Sequence, residues 1–443
     1  MRDKKLISFI SCVLIINSAT AALNLELTQG VHAPIPIAIM PFPVTNQTTL
    51  PPVVKVEQVI SDDLMHSGRF EVAHNQAFNQ FPTMPSEVNL NYWRPFHLNA
   101  IVVGQVASIG NEQYQITFSL VNLFNAQTTD VANVSILASE NFNASNKTIR
   151  TIAHQMSNLI YQKLTGKPGI FTTRIAYVMT KAGSGDDQTQ YALQTADYDG
   201  LNAQTLLSSV DPIMSPSWSP DGKQIAFVSF DKEGYPIIYS TSVPEGKREV
   251  ISSATGLNAA PAFSPNGQAL AMVLSKSGVP KINVMNLASK NTLQVTDGYA
   301  SDTEPNWFPD GNSLVFTSTR SGTPQIYKLN LSTQALTLLS ASGSYNANPV
   351  VTLNGKTLLM LHGDMNSYNI VAQDLMGVSK TLSYLTEDGL VSALTAAPDN
   401  NLVMYSTFNK GHENLAVTSI DGSAHFALPE IENADLKEPT WGP

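Results

Sequence analysis

Pro216-Ser217-Trp218-Ser219-Pro220-Asp221-Gly222, followed two residues later by Ile225-Ala226-Phe227-Val228, reads as a strand, a tight turn and a second strand. The chain repeats this unit as Pro261-Ala262-Phe263-Ser264-Pro265-Asn266-Gly267, as Pro305-Asn306-Trp307-Phe308-Pro309-Asp310-Gly311, and as Pro349-Val350-Val351-Thr352-Leu353-Asn354-Gly355. A degenerate copy follows at Pro398-Asp399-Asn400. Counted from Pro220 through Pro265, Pro309 and Leu353 to Pro398, the step is 44 to 45 residues. A fixed period of this size marks one structural unit stacked on copies of itself, each burying a face it could not bury alone. About 45 residues is the length of a four-stranded propeller blade. The Asp-Gly and Asn-Gly pairs supply the positive φ that a tight hairpin needs.

The two ends of the repeat decide the number of blades. Arg174-Ile175-Ala176-Tyr177-Val178 has the second-strand pattern without a preceding Pro-x-Trp strand. Glu438-Pro439-Thr440-Trp441-Gly442-Pro443 is a first strand with no second strand after it, and Pro443 lies 45 residues beyond Pro398. Second strands starting at Arg174, Ile225, Ala269, Ser313, Thr357 and Asn401 number six. The pattern predicts a six-bladed β-propeller over residues 170–443, closed by the C-terminal strand. Closure removes exposed sheet edges, whereas tandem open sheets would leave Trp441 and both edges unpaired.

Residues 22–166 lack this period and mix strands with helices. Pro34 to Phe42 reads as a strand through Ile35, Ile37 and Ile39, and Val53, Val56, Ile60 and Leu64 have helical spacing before Ser67-Gly68. Ala100 to Val106 and Tyr114 to Leu123 read as an antiparallel pair around Ile109-Gly110-Asn111. Lys147 to Leu164 reads as an amphipathic helix, with Ile149, Ile152, Met156, Leu159 and Ile160 on one face and Gly166 at its end. The expectation is an α/β N-terminal domain joined to the propeller through Lys167-Pro168-Gly169.

Met1 to Ala21 has the features of a secretory signal peptide: Arg2, Lys4 and Lys5, an apolar run from Leu6 to Ile16, and Ala19-Thr20-Ala21. The run is too short to span a bilayer. The mature chain is expected to begin at Ala22, outside the cytosol. Cys12 is the only cysteine and lies in the removed segment, so a disulfide, a thiolate metal site and a cysteine nucleophile are not expected. The formal charge of −10 includes +2 from the signal segment, leaving about −12. Such an acidic surface speaks against nucleic acid and anionic lipid as partners.

Signals of enzyme chemistry are weak. Gly355-Lys356-Thr357 resembles the end of a phosphate loop, but Val350 stands where its first glycine should be. There is no Gly-x-Ser-x-Gly elbow. The eight histidines include no His-x-x-x-His pair, and no metal or cofactor is expected. His362 reads as a capped or solvated histidine, and Asp197-Tyr198-Asp199-Gly200 as a hairpin turn that lacks the glutamate of a calcium loop. Recurrent aromatics at blade positions read as core.

Two binding surfaces emerge instead. Met214-Ser215, Leu257 to Ala260, Asp302 to Glu304, Tyr345 to Asn348 and Leu390 to Ser392 each precede an innermost strand. These are expected to be exposed loops converging on one rim of the channel, a platform for a protein partner. The second surface is Ala22 to His32, where Leu23, Leu25 and Leu27 alternate with Asn24 and Glu26 as in a strand that could add to a partner's sheet.

Beyond the repeat, several segments resemble the TolB family of the Tol-Pal envelope system. They are Leu164-Thr165-Gly166 with Thr173-Arg174-Ile175-Ala176-Tyr177-Val178, Met214-Ser215-Pro216, Gln294-Val295-Thr296-Asp297-Gly298, Thr303-Glu304-Pro305, and Asp63-Leu64 with Ser67-Gly68-Arg69-Phe70. The resemblance covers essentially the whole chain. It implies a monomeric, non-enzymatic periplasmic adaptor that supports outer-membrane integrity and constriction at cell division. By position it places the lipoprotein Pal at Asn258, Ala259, Ala260, Thr303 and Glu304. It places the C-terminal domain of TolA at residues 22–33, through Ala22, Leu23, Asn24, Leu25, Glu26, Leu27, Gly30 and Val31. The alternative is a propeller enzyme, either related to prolyl-oligopeptidase-like hydrolases or a carbohydrate lyase. The first needs an appended hydrolase domain that is not expected after Pro443, and the second needs a channel cluster that the histidines do not supply.

Overall fold

The computed structural model describes residues 33–45, 51–123, 134–183, 188–340, 342–364, 367–377, 381–387 and 389–443. The first domain is built on a mixed sheet. Its strands are β1 (Ile35–Ile39), β2 (Val44–Thr45), β3 (Phe70–Ala73), β4 (Ala100–Gly110), β5 (Gln113–Asn122) and β6 (Ile136–Ser145). The order is β3-β1-β4-β5-β6, with β2 beside β4; β1 is parallel to both its neighbours, and β4, β5 and β6 are antiparallel.

Both faces of this sheet are covered, which explains the unbroken apolar run at Ala100 to Val103. Side chains alternate across a strand. Ile37, Ile39, Ala100 and Val102 face helices α1 (Val56–His66) and α3 (Ile149–Thr165), with the short α2 (Leu90–Trp93) on the other face. Ala38, Met40, Ile101 and Val103 face a second layer around Phe78, Leu90, Trp93 and Leu98. Helix α1 starts at Val56 rather than Val53, which is exposed. Helix α3 ends at Gly166, whose left-handed φ of 74° suits a residue without a Cβ.

Beyond Gly166 the chain forms six four-stranded sheets. Blade 1 takes its inner strand from the C-terminus: Asp435–Trp441 pairs antiparallel with Arg174–Lys181, followed by Gln190–Asp197 and Gln204–Ser209. The inner strands of blades 2 to 6 are Met214–Trp218, Asn258–Phe263, Asp302–Trp307, Tyr345–Val351 and Val391–Ala396. The six second strands start at or within one residue of the expected positions. The ring therefore closes with the C-terminal strand in blade 1, as the unpaired Trp441 segment implies. Trp441 is buried and its Nε1 donates to Thr173 Oγ1 at 2.9 Å. Trp307 Nε1 reaches the Ala262 carbonyl of the previous blade at 3.0 Å.

The two domains share a core that runs from α1 and α3 through Ile170 and Phe171 to Tyr198, Met404, Val417 and Trp441. Contact falls on turns at one end of the propeller strands. Gly68 fits so closely against Ser423 that a Cβ would lie 2.5 Å from its carbonyl oxygen, and Arg69 pairs with Asp421. Because successive strands are antiparallel, the starts of the inner strands lie at the opposite end, away from the first domain.

Candidate interaction surfaces

The segments expected as rim loops prove to be largely the first residues of the inner strands themselves. Ser215, Ala260, Glu304, Asn348 and Glu438 each have φ between 45° and 52° and each precede a proline. The ladder shifts register at each of them. A proline cannot donate to the ladder, so the strand bulges where the pairing breaks. Blade 6 has Ala393-Leu394 in place of the residue–proline pair and shifts register between Ser392 and Leu394.

These bulges line a central cavity of about 560 Å³ that runs down to Pro220, Pro265, Pro309 and Leu353. Two carboxylates project at the bulges. Glu304 accepts from Thr317 Oγ1 at 2.6 Å and from the Asn348 amide of the next blade at 2.8 Å. Glu438 accepts from the Ser215 amide, and burial pushes its carboxyl above the usual range. Both are ties between neighbouring blades.

This corrects two expectations about the rim. Asn258 is fully buried, and its carboxamide accepts from Ser252 Oγ and the Ala254 amide while donating to the Ala254 carbonyl. Its side chain positions the approach to the strand and offers no surface. Glu304 is half-buried and engaged with Thr317 and Asn348 rather than exposed on a loop. Ala259, Ala260 and Thr303 are half-buried beside them. Exposed aromatics that the sequence pattern does not single out stand at the same end: Tyr235, Tyr299, Tyr368 and Phe408 lie in or next to turns and connectors there. Their signal was an aromatic in a hairpin or connector, where no core awaits it. Residues 22–32, the second expected surface, lie outside the described residues.

The other polar concentration lies between the domains. His154 on α3 is buried, with Nδ1 2.8 and 3.0 Å from the Asp63 oxygens of α1. Its Nε2 stands 3.6 Å from Asp197 Oδ2, an ion-pair distance, with no hydrogen-bond partner among the described residues. Tyr198 donates to Asp63 at 2.9 Å, and Arg150 bridges Asp197 and Asp199. Burial pushes His154 down, but the Asp197 and Asp63 carboxylates outweigh it and hold the pKa at about 9. Burial raises Asp63 against its hydrogen bond and ion pair with His154. Asp63, His154 and Asp199 bring ligand atoms within 4.8 Å of one another. Arg150 and protonated His154 already supply the positive charge there, so the cluster acts as a domain joint. Asp197 to Gly200 is the expected turn, and three of its members, Asp197, Tyr198 and Asp199, also serve this joint.

His362 is buried with Nδ1 2.8 Å from Asn346 Oδ1, and Gly355-Lys356-Thr357 spans a blade turn and the start of the next strand. No helix among the described residues is long and apolar enough to cross a membrane.

Comparison with known proteins bears on both domains. A family model described as the TolB beta propeller domain matches residues 161–443, and one described as the TolB amino-terminal domain matches residues 23–129. A Tol-Pal system protein TolB from Xanthomonas campestris is 38% identical over 95% of this chain and 93% of its own. One from Coxiella burnetii is 43% identical over 57% of this chain and 55% of its own. The crystal structure of TolB from Acinetobacter baumannii superposes with a TM-score of 0.79 at 31% identity, covering 93% of this chain and 98% of that one.

Proposed function

The chain belongs to the TolB family of Tol-Pal system proteins, and from that premise we propose that it is a non-enzymatic periplasmic adaptor with two protein partners. The propeller rim receives Pal, and residues 22–33 are read by the C-terminal domain of TolA. In this role the protein links two envelope components and supports outer-membrane integrity and constriction at division. The observation that carries the reading is the free end of the closed propeller. The first domain occupies the opposite end, leaving a ring of rigid inner-strand starts accessible to a partner.

Within this reading Ala259, Ala260 and Thr303 are the contact positions. Asn258 and Glu304 hold the backbone that presents them. The test is calorimetry of the purified chain against the soluble domain of Pal and the C-terminal domain of TolA. Thr303→Arg is expected to weaken Pal binding alone, and removal of residues 22–33 to abolish TolA binding alone. Undiminished Pal affinity in Thr303→Arg would move the site off this rim.

A further inference from the structure

Lys281 is a buried ammonium on the third strand of blade 3. Its Nζ donates to Asp302 Oδ2 at 3.2 Å, to the Asp297 carbonyl at 3.1 Å and to the Ala300 carbonyl. An ammonium has three protons, and these three acceptors use them all. Asp302, also fully buried, takes Arg320 on its other oxygen at 2.8 Å. The two carbonyls bracket the turn Asp297-Gly298-Tyr299-Ala300, where Gly298 has φ 87°. Just beyond it, the Ser301 amide donates to Thr319 Oγ1 at 3.1 Å and the Thr319 amide to the Ser301 carbonyl at 3.0 Å. From this clamped turn the Tyr299 side chain stands wholly in solvent.

Burying charges is costly even when they are paired. Here that cost accompanies a rigid connector whose outermost residue is a fully exposed aromatic. Tyrosine is enriched among the residues that dominate interface energy, and a clamped backbone has little freedom left to lose on docking. Tyr299 also lies four residues before Thr303, on the connector that runs directly into the inner strand of blade 4. We propose that Tyr299 is the aromatic anchor of the rim, inserted into an apolar pocket of the same lipoprotein partner, with Lys281, Asp302 and Arg320 as its positioning residues. The inference rests on the rim reading above and names the residue that carries its affinity.

The test titrates the soluble domain of Pal against the mature chain. Tyr299→Ala is expected to raise Kd by about 30-fold or more, as for an interface hot spot. Tyr299→Phe, which keeps the ring area, is expected to change it by less than about threefold. Lys281→Met should weaken binding in the native background and add little once Tyr299→Ala is present, since it acts through that side chain. Melting curves confirm that each variant is folded. If Thr303→Arg weakens binding while Tyr299→Ala leaves Kd within about twofold, the anchor is overturned and the rim stands. If neither substitution changes Kd, the rim reading falls and the anchor with it. Equal losses from Lys281→Met in both backgrounds would overturn the positioning role.

Discussion

Asp63, His154, Asp197, Arg150 and Asp199 at the domain junction, and Lys281, Asp302 and Arg320 at the open rim, are both clusters of buried charge. They serve opposite ends. The junction cluster joins residues 91 and 135 positions apart in the chain and leaves little of itself to solvent. The rim cluster joins two adjacent blades and leaves a tyrosine standing free above it. Burial of charge therefore does not by itself mark a functional surface. What distinguishes the two is what the fixed backbone presents: a packed partner domain in one case, open solvent in the other.

The comparison breaks most severely if the scaffold that separates the two ends is opened. Deleting Lys437 to Pro443 removes the inner strand of blade 1 and the buried Trp441, which alone is worth about 3–5 kcal/mol. Thermal melting should fall steeply, and an unchanged midpoint would refute closure by this strand.

At the junction, Asp63→Ala leaves His154 and the Tyr198 hydroxyl without their shared acceptor. Removing one partner of a buried pair costs about 3–5 kcal/mol. Arg320→Ala at the rim removes a partly exposed partner while Asp302 keeps Lys281, so it should cost less. Urea denaturation of the two variants ranks the clusters directly; equal losses would erase the distinction.

Titration sharpens the contrast further. His154 is raised to about 9 from an ordinary 6.5, so its contribution is complete below pH 6.5 and lost as pH rises through 9. Asp63, also raised, loses its contribution as pH rises above the ordinary carboxylate value, whereas Asp197, held below the ordinary value, contributes above that value and loses its share in acid. At about 1.4 kcal/mol per unit, the histidine limb amounts to a few kcal/mol at most. Stability measured from pH 6.5 to 9.5 should decline, and His154→Gln should flatten that limb. A decline that persists in the variant would assign it elsewhere.

The smallest effect belongs to the bulges. Glu304→Ala leaves the Asn348 amide without its carboxylate and should cost about 1–3 kcal/mol. Thr303→Ala next to it should stay within about 0.5 kcal/mol. Denaturant midpoints that reverse this order would return Glu304 to the surface role its position in the sequence suggests.

Much of the fold was legible because its determinants are local. Each Asp-Gly or Asn-Gly turn sets the direction of the strands beside it, and the constant step repeats that instruction from blade to blade. The two unpaired ends, Arg174 and Trp441, needed only each other to define the closed ring. The second layer of the first domain and the strands β3 and β6 were not legible, since their patterns are short or polar and their partners lie far along the chain.

The rim was legible as a place and not as a set of contacts. Its position follows from where inner strands begin, which the repeat states outright. Whether Asn258 or Glu304 faces a partner depends on neighbouring segments: Ser252 and Ala254 bury the first, and Thr317 with the next blade's Asn348 engages the second. The junction cluster shows the same limit more strongly, because Asp63, His154 and Asp197 carry no mutual spacing that a helix or strand would impose. The sequence alone thus determined the repeat, its count and its closure, through turn chemistry and strand alternation that act over a few residues. Tertiary structure alone decided which polar groups are spent inside the molecule and which aromatics are left outside, because burial is a property of neighbours brought together by folding.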